Sequence, residues 1–153
     1  MTERISYQNL SSKLLKSINS VKPYLGQSGL DPKFRELLSY RVSQINGCAY
    51  CLDMHHKELI HLGEDELRLH SLPAWRECPF YTDKEKAALA FAEAVTNANK
   101  TDIDDHIFDR LKVFFSESEI TYLTLTVTQT NTWNRINKVF RPVPGNYKVG
   151  QFG

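Results

Sequence analysis

Residues 31–63 read DPKFRELLSYRVSQINGCAYCLDMHHKELIHLG and contain the strongest helix signals in the chain. Asp31-Pro32 predicts a helix start, because an N-cap carboxylate accepts a backbone N–H group and proline suits the first helical position. Apolar residues follow at helical spacing until Asn46-Gly47, which ends the helix. A second helix is expected to begin at or near Cys48 and to run to Leu62-Gly63. The stretch therefore predicts two helices joined by a tight turn, with two cysteines at the start of the second helix.

Helical patterns also cover most of the chain outside this pair. Apolar residues recur at helical spacing over residues 8–22, and Pro23 and Gly26 are expected to close that segment. A loop is expected over 73–79 and a short helix over 104–113. Two capping boxes predict the starts of two longer helices: Thr82 with Glu85, and Ser116 with Glu119.

The segment that follows the second capping box shows two periodicities at once. Apolar residues alternate with Thr124, Thr126 and Thr128, and this period of two is typical of a strand. A stripe at helical spacing crosses the same region and reaches Phe140. Because a lone strand would have no partner elsewhere in the chain, we predict one long helix, followed by a C-terminal arm. The sequence as a whole therefore predicts an all-α fold.

The composition is that of an average globular protein, and it argues against several classes of function. The 153 residues are 41% hydrophobic and 24% charged, with a formal net charge of +1 spread along the chain. This balance predicts a single domain over residues 1–153, with no nucleic acid and no membrane as a partner. Because the N-terminus lacks an apolar signal segment, we expect a cytoplasmic protein, where three cysteines do not suggest a disulfide scaffold.

Cys48 and Cys51 form a C-x-x-C motif that needs a chemical explanation in such a compartment. If both lie on one helix with His55, the three side chains fall within an arc of about 60°. A helix N-terminus stabilises a thiolate through its partial positive charge and its free N–H groups. Such a thiolate can attack a peroxide O–O bond, and the second thiol can then convert the sulfenic acid into a disulfide.

The isolated motif also permits two other interpretations. The cysteines could be half of a zinc site completed by His55, His56 or His61, or they could be incidental. No second C-x-x-C motif is present, since the only other cysteine is Cys78, and four ligands from one short helix are difficult to arrange around a metal. Redox chemistry is therefore favoured, and no metal or cofactor is expected.

Residues 36–55 resemble the core of the alkylhydroperoxidase D-like / carboxymuconolactone decarboxylase superfamily. That family has a glutamate twelve residues before the first cysteine of a C-x-x-C motif, and a histidine four residues after the second. The resemblance extends to residues 72–76, 87–96 and 131–135, and so covers the chain from about 30 to 140. Four residues match the site pattern: Glu36, Cys48, Cys51 and His55.

The resemblance implies an all-α, antiparallel helical bundle that assembles into trimers or hexamers. It also implies a peroxiredoxin-type peroxidase activity on hydroperoxides, recycled by a thiol or dithiol reductant. By position, Cys51 is similar to the peroxidatic cysteine and Cys48 to its resolving partner, while Glu36 and His55 resemble the proton relay. One departure is Tyr50, where the best-known members carry a histidine, so the relay here is shorter.

Two alternative functions are kept beside this one. The lactone decarboxylase branch of the same superfamily does not rely on a C-x-x-C motif, so the intact dithiol speaks against it. A non-catalytic helical oligomer could use the dithiol as a redox sensor or to bind a metal. Titration of free thiols before and after exposure to peroxide would separate the peroxidase from both alternatives.

Overall fold

The computed structural model describes residues 2–152, and every regular element in that range is helical. The predicted all-α fold is therefore confirmed. The described α-helices are, in chain order, α1 Ser12–Asn19, α2 Lys22–Gly26, α3 Pro32–Asn46, α4 Ala49–His61, α5 Glu66–Ser71, α6 Asp83–Thr96, α7 Asp105–Lys112 and α8 Glu117–Phe140. Short 3-10 helices cover Tyr7–Asn9 and Leu72–Glu77.

Helix α3 lies at the centre of the fold. It packs against α4, α6 and α8, and α6 packs in turn against α7 and α8. The core is built from fully buried apolar side chains of these helices, among them Val42 of α3, Leu59 of α4, Leu89 of α6 and Leu123 of α8. None of the helices within residues 2–152 is both long and apolar enough to cross a bilayer. The expected trimer or hexamer stays a prediction.

The α3–α4 junction forms as the sequence predicts. The Asp31 side chain accepts a hydrogen bond from the Lys33 N–H group at 3.0 Å, which caps the N-terminus of α3. Gly47 ends the helix with φ at 61°, a left-handed conformation that glycine adopts without a Cβ penalty. The following N–H group, that of Cys48, donates to the carbonyl of Ser43 at 3.1 Å. The chain turns at this point, so that α4 packs against α3.

Helix α8 confirms the long helix predicted for the region with two periodicities. Its threonines are accommodated because their hydroxyls donate to carbonyls four residues earlier, as Thr124 does to Ile120 at 2.8 Å. Leu123 and Val127 lie one turn apart and are both fully buried. The alternation in sequence therefore arises from threonines interleaved with the core-facing positions of a helix.

Two predictions about the connecting segments are wrong. The pattern over 8–22 predicts one helix closed by Pro23, but the structure has α1 and then α2, with Pro23 in the first turn of α2. Proline is tolerated there because the first turn of a helix has no intrahelical partner for its N–H group. The loop predicted over 73–79 is largely a 3-10 helix over Leu72–Glu77, which holds the Trp75 side chain in the core.

Glu93 of α6 holds three elements together through its carboxylate. It accepts hydrogen bonds from Arg41 Nε of α3 at 2.8 Å and from Trp75 Nε1 at 2.8 Å, and it forms an ion pair with Arg76 Nη1 at 2.7 Å. Burial alone would raise the pKa of this carboxyl, but the bonds from Trp75, Arg76 and Arg41 outweigh it and lower the pKa below its ordinary value. The charged form of Glu93 is therefore stabilised by the fold.

We expect Glu93→Gln to lower the free energy of unfolding by about 1.5–3 kcal/mol at neutral pH, because charge-assisted hydrogen bonds are lost. The folded-state pKa is depressed, so the wild type loses this contribution as the pH falls from 4.5 through the lowered value. Denaturant unfolding at neutral and acidic pH measures both effects. The exposed Glu77→Gln removes the same charge and should change little. Equal losses in the two variants would contradict the prediction.

Candidate active site

Cys48 and Cys51 are joined by a disulfide, with their Cα atoms 5.3 Å apart. Both side chains are buried, with 2% and 1% of their surface exposed. Cys48 is the N-cap residue of α4, with extended backbone angles, and Cys51 lies in the first turn, so the two cysteines stand at the start of one helix as predicted. The disulfide reach predicted for the pair is also present. The disulfide is the oxidised form of the motif, and its reduction gives two thiols at a helix N-terminus.

His55 and Glu36 form a close pair beside the dithiol. His55 Nδ1 lies 2.5 Å from Glu36 Oε1, and His55 is only 7% exposed. Glu36 reaches this position from α3 because the turn at Gly47 packs α4 against α3. A ring nitrogen that faces a carboxylate carries the proton, which leaves Nε2 of the neutral ring as an acceptor. The geometry thus provides an oriented base one helical turn after Cys51.

A cavity of about 450 Å³ opens beside these residues. Its wall includes three of the four residues that match the family pattern, Cys51, His55 and Glu36, while Cys48 is not part of the wall. The volume is within the range of small-molecule pockets. Most of the wall is apolar, with contributions from Leu15, Leu25, Met54, Leu62, Trp133 and Phe152.

Asn137 of α8 is a site residue that sequence reasoning missed. Its Nδ2 donates to Cys51 Sγ at 3.3 Å, and its Oδ1 accepts a hydrogen bond from the Tyr7 hydroxyl at 2.5 Å. Asn137 is 7% exposed and lines the cavity. The signal for it lay in the helical stripe through α8, because Asn137 follows Trp133 by four residues on the same face. The local signal is a polar residue one helical turn after a tryptophan.

The C-terminal arm forms part of the same wall. The Tyr147 hydroxyl donates to Glu58 of α4, and the Gly150 N–H group donates to the same carboxylate oxygen at 2.8 Å. Burial and the neighbouring Glu58 carboxylate raise the pKa of Tyr147, so its hydroxyl keeps its proton. The Tyr50 ring lies edge-on to the Tyr147 ring, with centroids 6.5 Å apart. The arm and Tyr50 therefore shape the cavity near the dithiol.

The other candidate ligands lie elsewhere. His56 Nε2 faces Glu66 at 3.2 Å, on a different side of α4 from His55. Cys78 is half-buried and free, and its thiol faces the carbonyl of Ser71. Across residues 2–152, no three His, Cys, Asp or Glu side chains are grouped so that they could hold a metal ion.

Comparisons with known proteins agree with this arrangement. The model of the carboxymuconolactone decarboxylase family matches residues 13–94, a range that is more than half of the chain and contains all four residues of the site pattern. The uncharacterised protein YdfG of Bacillus subtilis is 38% identical over 137 residues, which cover 90% of this chain and 93% of YdfG.

Two solved structures have the same fold. ATU0492 of Agrobacterium tumefaciens, a protein of unknown function described as a candidate AhpD antioxidant defence protein, superposes with a TM-score of 0.90 and 38% identity. The superposition covers 95% of this chain and 100% of that one. An uncharacterised peroxidase-related protein from Silicibacter sp. TM1040 gives a TM-score of 0.79 at 25% identity, over 94% of this chain and 76% of that one. With this fold and these matches, the chain belongs to the carboxymuconolactone decarboxylase family, within the superfamily that includes the AhpD-like proteins.

Proposed function

We propose that the protein is a thiol-dependent peroxidase, which reduces hydroperoxides through Cys51 and Cys48 with Glu36 and His55 as a proton relay. One observation carries the proposal. Cys51 lies in the wall of a pocket that also contains a buried histidine paired with a partly exposed carboxylate, and Cys51 is joined to Cys48 by a disulfide. A nucleophile, an oriented base and a resolving thiol are the groups that such a reaction requires.

The first half of the reaction takes place at Cys51. His55, held by Glu36, accepts the proton of the Cys51 thiol, and the partial positive charge at the start of α4 stabilises the thiolate. The thiolate attacks one oxygen of the hydroperoxide, so that an S–O bond forms and the O–O bond breaks. The departing alkoxide takes the proton from His55 and leaves as an alcohol. Cys51 is then a sulfenic acid.

The second half of the reaction restores the thiols. The Cys48 sulfur attacks the sulfenic sulfur of Cys51, and the hydroxyl group leaves as water with the proton of Cys48. The resulting disulfide is the form present in the structure. An external thiol or dithiol then supplies two electrons and two protons through a mixed disulfide. The sum is one hydroperoxide and two thiols converted into one alcohol, one water and one disulfide.

We expect an organic hydroperoxide to be a better substrate than hydrogen peroxide, because the wall of the cavity is mostly apolar. Burial of one apolar group corresponds to about 1.5–3 kcal/mol, so kcat/KM for cumene hydroperoxide should exceed that for hydrogen peroxide by roughly 10- to 100-fold. Consumption of each peroxide by the reduced protein, with excess dithiothreitol as the reductant, measures the ratio.

A pair of variants controls this comparison. Leu25→Ser places a hydroxyl in the cavity wall far from the dithiol in sequence, and it should reduce kcat/KM for cumene hydroperoxide but not for hydrogen peroxide. Leu67→Ser makes the same change at an exposed position of α5 and should affect neither. If no hydroperoxide is consumed faster than without protein, the proposed function is wrong. If hydrogen peroxide is the better substrate, the cavity does not select the organic group.

A further inference from the structure

Three side chains from distant parts of the chain form a continuous set of contacts that ends on the Cys51 sulfur. Tyr7 belongs to the 3-10 helix near the N-terminus, Asn137 to the last turns of α8, and Cys51 to the first turn of α4. The segment that carries Tyr7 is fixed against α8, because the N–H groups of Arg4 and Ile5 both donate to the carbonyl of Phe140. These bonds fix the position of Tyr7, and Tyr7 in turn contacts the Asn137 side chain beside Cys51.

The orientation of the Asn137 amide follows from its contact with Tyr7. Burial, and to a lesser degree Tyr50, raise the pKa of Tyr7, so its hydroxyl is protonated and available as a donor. A donor facing the amide selects its carbonyl oxygen, and the hydroxyl lies 2.5 Å from Oδ1. The amide nitrogen then points the other way, towards Cys51 Sγ at 3.3 Å. The N–H group is thus aimed at sulfur by a neighbour on its opposite side.

An amide N–H group aimed at sulfur interacts more strongly with a thiolate than with a thiol, because a charged acceptor strengthens the hydrogen bond. Cys51 is 1% exposed, so water cannot readily supply that stabilisation. The bond is made to Cys51, the cysteine in the cavity wall, and so favours ionisation of the sulfur that meets the substrate.

We propose that Asn137 is a further catalytic residue, whose amide N–H stabilises the Cys51 thiolate, and that Tyr7 is a positioning residue that holds the amide in this orientation. The inference rests on the proposed peroxidase function for its purpose. The property that it concerns, the ionisation of the Cys51 thiol, can be measured without that function. Asn137 adds a donor from α8 to the base supplied by α3 and α4.

The test is the pH dependence of iodoacetamide alkylation of the reduced full-length protein, with Cys48 and Cys51 distinguished by peptide mass spectrometry. Asn137→Leu removes the donor and keeps the branched shape of the side chain. We expect the Cys51 labelling curve to move to higher pH by about one to two units, since a charge-assisted hydrogen bond is lost. Tyr7→Phe keeps the ring but frees the amide to rotate, so it should move the same curve in the same direction by a smaller amount.

Asn131→Leu is the matched control. Asn131 is half-buried on the same helix and donates to Thr96 and to the carbonyl of Val127, without contact to Cys51. Its labelling curve should coincide with that of the wild type. An unshifted curve in Asn137→Leu, or an equal shift in Asn131→Leu, would overturn the inference. If Asn137→Leu does not fold, Tyr7→Phe decides the question, and an unshifted labelling curve in that variant would also overturn the inference.

The labelling experiment needs no peroxide, which separates this inference from the proposed function. If the wild type consumes no hydroperoxide but the labelling curve shifts as expected, the peroxidase proposal fails and the assignment of Asn137 to the Cys51 thiolate stands. If hydroperoxide is consumed and the curve does not shift, the reverse holds.

Discussion

Cys51→Ser should consume no hydroperoxide above the uncatalysed rate, because a serine hydroxyl at neutral pH does not provide the anion that attacks the O–O bond. Cys48→Ser should behave differently. It keeps the nucleophile but lacks the resolving thiol, so without added reductant each molecule should rapidly consume one equivalent of hydroperoxide and should not turn over. Mass spectrometry should show one added oxygen on Cys51, followed by further oxidation when peroxide is in excess.

The third cysteine provides the control for these variants. Cys78→Ser changes a free, half-buried thiol that does not line the cavity, and it should turn over at the wild-type rate. Thiol titration after exposure to peroxide should show the loss of two thiols in wild type and in Cys78→Ser. Consumption of one equivalent of hydroperoxide by Cys51→Ser, together with none by Cys48→Ser, would show that the two roles are reversed.

His55→Ala and Glu36→Gln should each slow hydroperoxide reduction by about 10²–10⁴-fold, the usual contribution of a positioned general base. The first change removes the proton acceptor, and the second removes the negative charge that orients the ring at 2.5 Å. In both variants the Cys51 thiolate should form at a higher pH, so its iodoacetamide labelling curve should move upward. Stopped-flow measurement of one turnover separates this step from recycling by the reductant.

The neighbouring pair on the same helix is a control of matching chemistry. His56 and Glu66 also form a histidine–carboxylate contact, at 3.2 Å, but they lie at the surface and outside the cavity wall. His56→Ala and Glu66→Gln should therefore leave the rate and the labelling curve unchanged. Full rates and unshifted labelling in both His55→Ala and Glu36→Gln would mean that the chain keeps the spacing of the family site but does not use this pair as a proton relay.

The parts of this protein that sequence predicts well are those determined by neighbouring residues. The turn at Gly47 needs only a left-handed residue after α3, and the cap at Asp31 needs only an N–H group two residues away. Both capping boxes, at Thr82 and Ser116, form as predicted for the same reason. The position of Glu36 opposite His55 follows from the turn at Gly47 and from the two helices that it joins, all of which the sequence predicts.

The parts that sequence did not predict depend on contacts between distant segments. Asn137 faces Cys51 only because α8 packs beside α4, and Tyr7 reaches Asn137 across 130 positions of the chain. The Tyr147–Glu58 bond likewise depends on where the arm returns. No local propensity encodes such pairings. The prediction at Pro23 is wrong for a different reason. Proline both ends helices and begins them, and only the packing of α2 decides between the two.

The wall of the cavity joins residues that are made at very different times during translation. The dithiol and its histidine–carboxylate pair lie within residues 36–55, whereas Tyr147, Gly150 and Phe152 are added far later. A nascent chain still attached to the ribosome therefore carries the dithiol and the histidine–carboxylate pair before the arm has been synthesised. Until the arm has been synthesised, the cavity beside Cys51 lacks the part of its wall that Tyr147, Gly150 and Phe152 supply.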